Sequence, residues 1–276
     1  PYKAPVKDIV FGYEVIDSYS VLNKISAFSD FSEDIVIPTM EECAKFSEEI
    51  LAPINSIGDQ QGATIKDGVV TMPEEFVDAY KKFAEAGWAS ISLPSDIGGG
   101  GMPITLSGGT LEILSTANLA FGLAPGLSAG AISAINFHGN QEQKDKFLPK
   151  LVSGEWTGTM NLSEPQSGSD LGTITTKAEP QEDGSYKITG TKVWITFGEH
   201  NMTENIIHLV LAKVPGSPEG TKGISMFIVP KYIVNDDGSI GDSNNVNCIS
   251  IEEKLGIHAS PTCVMEYDGS VGYLVG

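Results

Sequence analysis

The chain has 276 residues, with 36 acidic side chains against 17 basic ones and a formal net charge of -19 at pH 7; every one of the 17 is Lys. That balance argues against nucleic acid, whose binding rests on Lys and Arg neutralising phosphates. The absence of Arg also removes the side chain best shaped to clamp a phosphate in bidentate fashion. A hydrophobic content of 41% and this length are enough for one large or two ordinary domains. No unbroken apolar run reaches the roughly 18 residues that cross a bilayer, and the first residues lack the layout of a signal peptide. A soluble, cytoplasmic protein without a membrane partner is expected, with Cys43, Cys248 and Cys263 as reduced, packed thiols.

Taken in chain order, the first half reads helical. Met40, Cys43, Phe46 and Ile50 predict a helix near 36–52. In "TMPEEFVDAYKKFAEAGW" Pro73 suits a first turn, Phe76, Tyr80 and Phe83 recur at helical spacing, and Gly87 is a stop, which predicts an amphipathic helix near 73–86. "DIGGGGMP", residues 96–103, lacks the strand-to-helix context and the spacing of a dinucleotide fingerprint, so it is not read as a phosphate cradle. Leu106, Leu111 and Leu114 predict a helix near 104–118, and another lies near 141–152 with Asn140 as its N-cap. Between these two, "FGLAPGLSAGAISAINFHG" is apolar and rich in small residues, which suits a buried helix packed closely against a neighbour or a ligand.

After about residue 155 the period becomes strand-like. "SYKITGTKVWIT", "NIIHLVLAKV", "KGISMFIVP" and "NCISIEE" are short, β-branched and bounded by Gly, Asn, Asp or Pro, with Asp183-Gly184 as a hairpin-type turn. The polar stretch "NDDGSIGDSNN", residues 235–245, is expected at an exposed hairpin end. Helices followed by strands without alternation mean an α+β chain in two domains, residues 1–156 helical and 157–276 a β-domain.

Two stretches invite chemistry. "MNLSEPQSGSDLG", residues 160–172, offers the hydroxyls of Ser163, Ser167 and Ser169, and Gly168 lets backbone N–H groups approach a ligand closely, with no basic residue present. It reads either as a neutral donor loop or as a strand followed by an ordinary surface turn. In "KVWIT", residues 192–196, Trp194 either fills the core or, beside the hydroxyl of Thr196, faces a planar heterocyclic ligand. His138, His200, His208 and His258 show no metal-ligand spacing and are expected to be structural or exposed, so no metal site is expected. No G-x-S-x-G occurs, which argues against a hydrolase nucleophile elbow.

Taken in order, five segments resemble the acyl-CoA dehydrogenase family. They are "SLPSDIGGGGMP", "HGNQEQKDKFLPKLVSGEW", "MNLSEPQSGSDL", "GTKVWIT" and "KLGIHASPTC", and residues 1–35 resemble the N-terminal extension of the larger bacterial subfamily that includes the 3-methylmercaptopropionyl-CoA dehydrogenases. The resemblance implies an N-terminal all-helical domain, a middle antiparallel β-barrel or sandwich, and a C-terminal four-helix bundle that this chain does not include. It implies FAD as cofactor and α,β-dehydrogenation of an acyl-CoA thioester: a carboxylate base takes the α-proton and the β-hydrogen leaves as hydride to flavin N5. Electrons then pass to an electron-transfer flavoprotein, and the full protein is a homodimer or homotetramer.

Residue by residue, the resemblance places Met160, Leu162 and Ser163 against the isoalloxazine by backbone and hydroxyl, with Gly168 in the same cofactor loop. It places Trp194 and Thr196 at the ring's other face and edge, and Ser169 where flavin and the CoA part of the substrate meet. Phe197 stands where the family commonly has Asn, and His258 where it has Arg. Glu164 and Asp170 belong to the turn and not to catalysis; the base is expected outside this chain, which on that reading is inactive alone. A flavin-free interaction module and an oxygen-using acyl-CoA oxidase are the alternatives.

Overall fold

The computed structural model describes residues 1–276. Its first part is built from α1 (Val6–Val15), α2 (Ser18–Leu22), α3 (Glu33–Phe46), α4 (Ala52–Gln61), α5 (Glu74–Glu85), α6 (Ile104–Ala117), α7 (Leu119–His138) and α8 (Gln141–Val152), with a small hairpin, β1 (Thr64–Lys66) and β2 (Val69–Thr71), between α4 and α5. Phe76, Ala79, Tyr80 and Phe83 recur three or four residues apart on α5 and are all buried, which is why that helix docks by one face. Phe83 meets Phe121 of α7 edge-on, ring centroids 5.5 Å apart, and Phe46, Phe76 and Tyr80 complete the aromatic centre of this core.

One expectation needs correction, and two features go beyond the sequence reading. The helix predicted near 36–52 continues to Gln61, because a π turn at Ser47–Leu51 joins α3 to α4. Pro53 then falls in the first turn of α4, where its missing N–H costs little. The β1–β2 hairpin was not anticipated; its strands are only three residues long. Finally, α7 is long and apolar enough by length and composition to cross a bilayer, although no unbroken run predicted it. Interspersed Gly, Ser and Asn hide the stretch, and in the fold this helix packs on β-sheet and on its helical neighbours.

The glycine run before α6 folds back on itself. Gly99, Gly100 and Gly101 donate their N–H groups to the carbonyls of Pro94, Ser90 and Leu93, so they are spent within the loop and cradle nothing. A Cβ at Gly99 would sit 2.2 Å from the Leu93 carbonyl oxygen, so the loop can close only on glycine. At α8 the Asn140 side chain and Gln143 cap each other's backbone, and Gln143 also donates to the Leu274 carbonyl, tying the helix to the β-part.

The β-part comprises β3 (Trp156–Asn161), β4 (Lys177–Pro180), β5 (Tyr186–Thr196), β6 (Asn205–Lys213), β7 (Ile224–Pro230), β8 (Tyr232–Val234), β9 (Ile240–Ser243), β10 (Val246–Ile251) and β11 (Thr262–Val275). Strand β11 pairs with both β5 and β7, β7 with β6, β6 with β4, and β4 with β5, which closes a five-stranded ring. Strand β10 extends the ring from β11, β3 adds to β6, and β8 and β9 form a hairpin whose turn carries the 235–239 polar residues. The pairings are antiparallel except β3 with β6 and a single β4–β6 contact. Val210 and Ala212 of β6 face the ring interior, while Ile207 and Leu209 face α7 and α8, so the strand is buried on both sides. Helix α7 lies directly on β3: Gly158 N–H donates to Ser128 Oγ at 3.0 Å, and a Cβ at 158 would come within 2.4 Å of the Ala131 methyl.

Candidate functional site

Where β3 ends, the chain turns through residues 162–170 in a tight loop held from within. Glu164 and Ser167 exchange backbone hydrogen bonds at 2.7 and 2.9 Å, and the buried Ser167 spends its hydroxyl on the Asp170 carbonyl. The Glu164 carboxylate, 2% exposed, accepts six hydrogen bonds: from the N–H and hydroxyl of Thr175 and of Thr176, from the Gln166 amide, and from Lys192 Nζ at 2.9 Å. Burial alone would raise its pKa; the hydrogen bonds of Thr176 and Thr175 and the Lys192 ammonium overcome that and hold it at about 2. A carboxylate so committed is a poor general base, since it has neither a matched pKa nor access to a substrate proton.

Lys192 is itself wholly enclosed, and its second hydrogen bond goes to the Leu162 carbonyl at 3.0 Å. Next to it β5 bulges: Ile195 pairs with Cys263 and Lys192 with Met265, so Val193 and Trp194 together face Val264. Trp194 adopts a left-handed backbone, φ 61°, and its indole is 57% exposed, so it does not fill the core. A bulky residue held in that region is backbone strain of the kind retained at functional positions. The Val193 N–H donates to the Ser163 carbonyl at 3.0 Å, which brings the bulge against the loop.

These constraints gather Ser163, Gly168 and Trp194 into one patch. A Cβ on Gly168 would lie 4.0 Å from both Ser163 Oγ and the Trp194 ring, filling the space between them. Leu162 is exposed at its edge, Ser163 is half-buried and Ser169 exposed. Thr196, half-buried, pairs with Thr262 at the end of β5, and Met160 packs toward the core shared with α7 and α8. Phe197 also has a left-handed backbone, φ 52°, a conformation that Asn tolerates better; its ring is buried in the helical core, and its N–H donates to the Pro261 carbonyl.

Behind β3 runs a buried polar chain. Tyr267 donates to Asn161 Oδ1, Asn161 Nδ2 donates to Thr159 Oγ1, and Thr159 Oγ1 lies 2.7 Å from His208 Nδ1. His208 is thereby tied to this chain through Nδ1, while its buried Nε2 has no hydrogen-bond partner. His200 accepts from Met202 N–H at Nδ1 and so donates from Nε2 to Thr157 Oγ1. Burial, with the Lys231 charge nearby, pushes both imidazoles down to about 3, and they are neutral. Lys231 pairs with the buried Glu199 at 2.6 Å. Between the two parts of the molecule, His258 faces only acceptors, Lys254 O at Nε2 and Asp59 O and Oδ1 at Nδ1; the Lys254 carbonyl first, then Asp59, hold it charged above its usual range.

Lys192 and Glu164 are the pair that sequence reasoning missed as a unit. The signal was a Lys set among Ile188, Val193 and Ile195 in a core-type strand. A mostly apolar cleft of about 580 Å³ also opens between α6, α7 and the segment 88–97, but no residue of the β-part lines it.

Family comparison decides what this fold belongs to. Residues 39–155 match the acyl-CoA dehydrogenase N-terminal domain and residues 159–270 its middle domain. The chain belongs to the acyl-CoA dehydrogenase family. It is 46% identical over 275 residues to 3-methylmercaptopropionyl-CoA dehydrogenase of Ruegeria pomeroyi, covering 100% of this chain and 47% of that protein. To a butyryl-CoA dehydrogenase of Syntrophomonas wolfei it is 37% identical over 100% of this chain and 46% of that protein. An acyl-CoA dehydrogenase from Bacillus anthracis, solved in complex with FAD, superposes with a TM-score of 0.71 at 27% identity, over 90% of this chain and 38% of that one. The chain thus spans about half the length of the curated relatives it matches. Acyl-CoA dehydrogenases are FAD-dependent oxidoreductases, and the patch around Trp194 lies in the segment matched to their middle domain.

Proposed function

We propose that this acyl-CoA dehydrogenase chain forms one wall of an FAD site, and that the protein dehydrogenates a fatty acyl-CoA thioester between its α and β carbons. The observation that carries the reading is Trp194: a strained, exposed indole beside a rigid loop of neutral donors, with Gly168 lying between it and the Ser163 hydroxyl. Those residues fit a planar, uncharged ring with acceptors along its edge. The backbone of Met160, Leu162 and Ser163 and the Ser163 hydroxyl would orient that edge, Trp194 and Thr196 would flank it, and Ser169 would reach toward the CoA part of the substrate. When bound, the flavin supplies the acceptor for the hydride that leaves the substrate β-carbon. The α-proton goes to a carboxylate outside this chain, because Glu164 is fully committed to the loop. On this reading an electron-transfer flavoprotein takes up the electrons, the protein acts as a homodimer or homotetramer, and residues 1–276 alone do not turn over.

The test is spectroscopic. At its natural length the protein should carry a visible flavin band that a saturated acyl-CoA bleaches without oxygen. Trp194→Ala should weaken FAD retention by about 1 kcal/mol, the worth of an aromatic stack, with helical content unchanged. A protein without flavin, or a flavin that no acyl-CoA reduces, overturns the proposal, and peroxide formed in step with turnover makes it an oxidase.

A further inference from the structure

The buried ammonium of Lys192 has two acceptors of different kinds. One is the carboxylate of Glu164, whose charge it balances; the other is the main-chain carbonyl of Leu162 at 3.0 Å. Charge balance needs only the first. Glu164 already collects five other hydrogen bonds from Thr175, Thr176 and Gln166, so the loop's interior is organised without the lysine. The Leu162 carbonyl is different: it lies where β3 has ended and the loop has not yet closed on itself. The same lysine stands two residues before Trp194, at the edge of the bulge that turns the indole outward. One side chain therefore joins the two segments, 28 residues apart in sequence from Lys192 to Glu164, that meet at the proposed ring site.

We propose that Lys192 is a positioning residue: by tethering the Leu162 carbonyl to the Trp194 bulge, it sets the orientation in which Leu162 and Ser163 present their donors to the flavin. The inference rests on the flavin reading above. Enclosed donors that hold a site's supporting segments contribute by preorganisation, and a misplacement of an ångström is enough to degrade such a site.

Two variants separate the tether from the charge balance in the protein at its natural length. Glu164→Gln leaves a buried, uncompensated lysine but keeps its bond to Leu162; it should lower the unfolding midpoint, and its FAD affinity is the reference for the second variant, since both carry the same amide in the loop. Glu164→Gln/Lys192→Met removes both charges, so stability should recover, while FAD affinity should fall about tenfold or more because Leu162 is untethered. Stability and flavin binding then rank the two variants in opposite order. If affinity returns along with stability in the double variant, Lys192 is only a counter-ion and the proposal fails.

A readout without cofactor runs alongside. In the flavin-free protein, amide hydrogen exchange at Val193, whose N–H donates to the Ser163 carbonyl, should quicken about tenfold in the double variant, with β6 and β7 unchanged. Unchanged exchange overturns the tether even where no flavin binds, whereas a wild type free of flavin with quickened exchange in the double variant overturns only the flavin reading.

Discussion

In the helical part the interior is filled by Phe46, Phe76, Tyr80, Phe83 and Phe121, and no Lys, Asp or Glu is buried there; the β-part encloses Glu164, Lys192, Glu199, His200 and His208 beside an apolar core of its own. Apolar packing is non-directional and tolerates small shifts, whereas a buried ion or imidazole is stable only with its partners in place. Both parts are held by apolar cores, and the β-part adds costly buried polarity that fixes positions. The fixed positions include those around Ser163 and Trp194.

This contrast can be broken from either side. The largest effect is expected from Phe121→Ala, which empties the centre of the aromatic cluster and should cost about 3–5 kcal/mol in denaturant unfolding. If the variant keeps wild-type stability, apolar packing is not what holds the helical part. Glu164→Gln comes next at about 3 kcal/mol, because it leaves Lys192 charged and unpaired in the interior. The same pair gives a pH signature. The Glu164 pKa is depressed from 4.5 in the unfolded chain to about 2 in the fold, so its contribution is fully present above 4.5 and is lost as pH falls toward 2. Unfolding midpoints measured across that window should drop more steeply for wild type than for Glu164→Gln; parallel curves would contradict the assignment.

Smaller effects sharpen the comparison. Tyr267→Phe removes the donor to Asn161 Oδ1 and strands a buried acceptor, which should cost about 1–2 kcal/mol by thermal unfolding. A neutral result would mean that the Tyr267–Asn161–Thr159–His208 chain is ornamental to stability. The smallest effect is at His258, which is partly exposed. Its pKa is raised by Lys254 O and Asp59, so the latch between α4 and the β10–β11 segment is complete below the unfolded histidine pKa and weakens as pH rises through the folded value. His258→Asn should therefore differ from wild type in the acidic range and converge with it in alkaline buffer; a difference that grows with pH would reverse the sign.

Much of the local structure was legible in the residues. The buried face of α5, the Asn140–Gln143 cap, the turn at Asp183-Gly184 and the strand runs after 155 all follow from spacing and turn chemistry that act over a few residues. The loop 160–172 read by residue type either as a neutral donor surface or as an ordinary turn. What the tertiary structure alone decided lies further apart along the chain. Closing the ring requires β11 to pair with β5 on one side and β7 on the other, and no local pattern encodes a partner 45 to 86 residues away. Whether Lys192 points inward and Trp194 outward depends on one bulge in the β5–β11 register, and a shift of a single residue exchanges the two faces of a strand. By composition Lys192 reads as a surface charge and Trp194 as either core or exposed; pairing with a carboxylate 28 residues away buries the first, and a left-handed backbone turns the second outward.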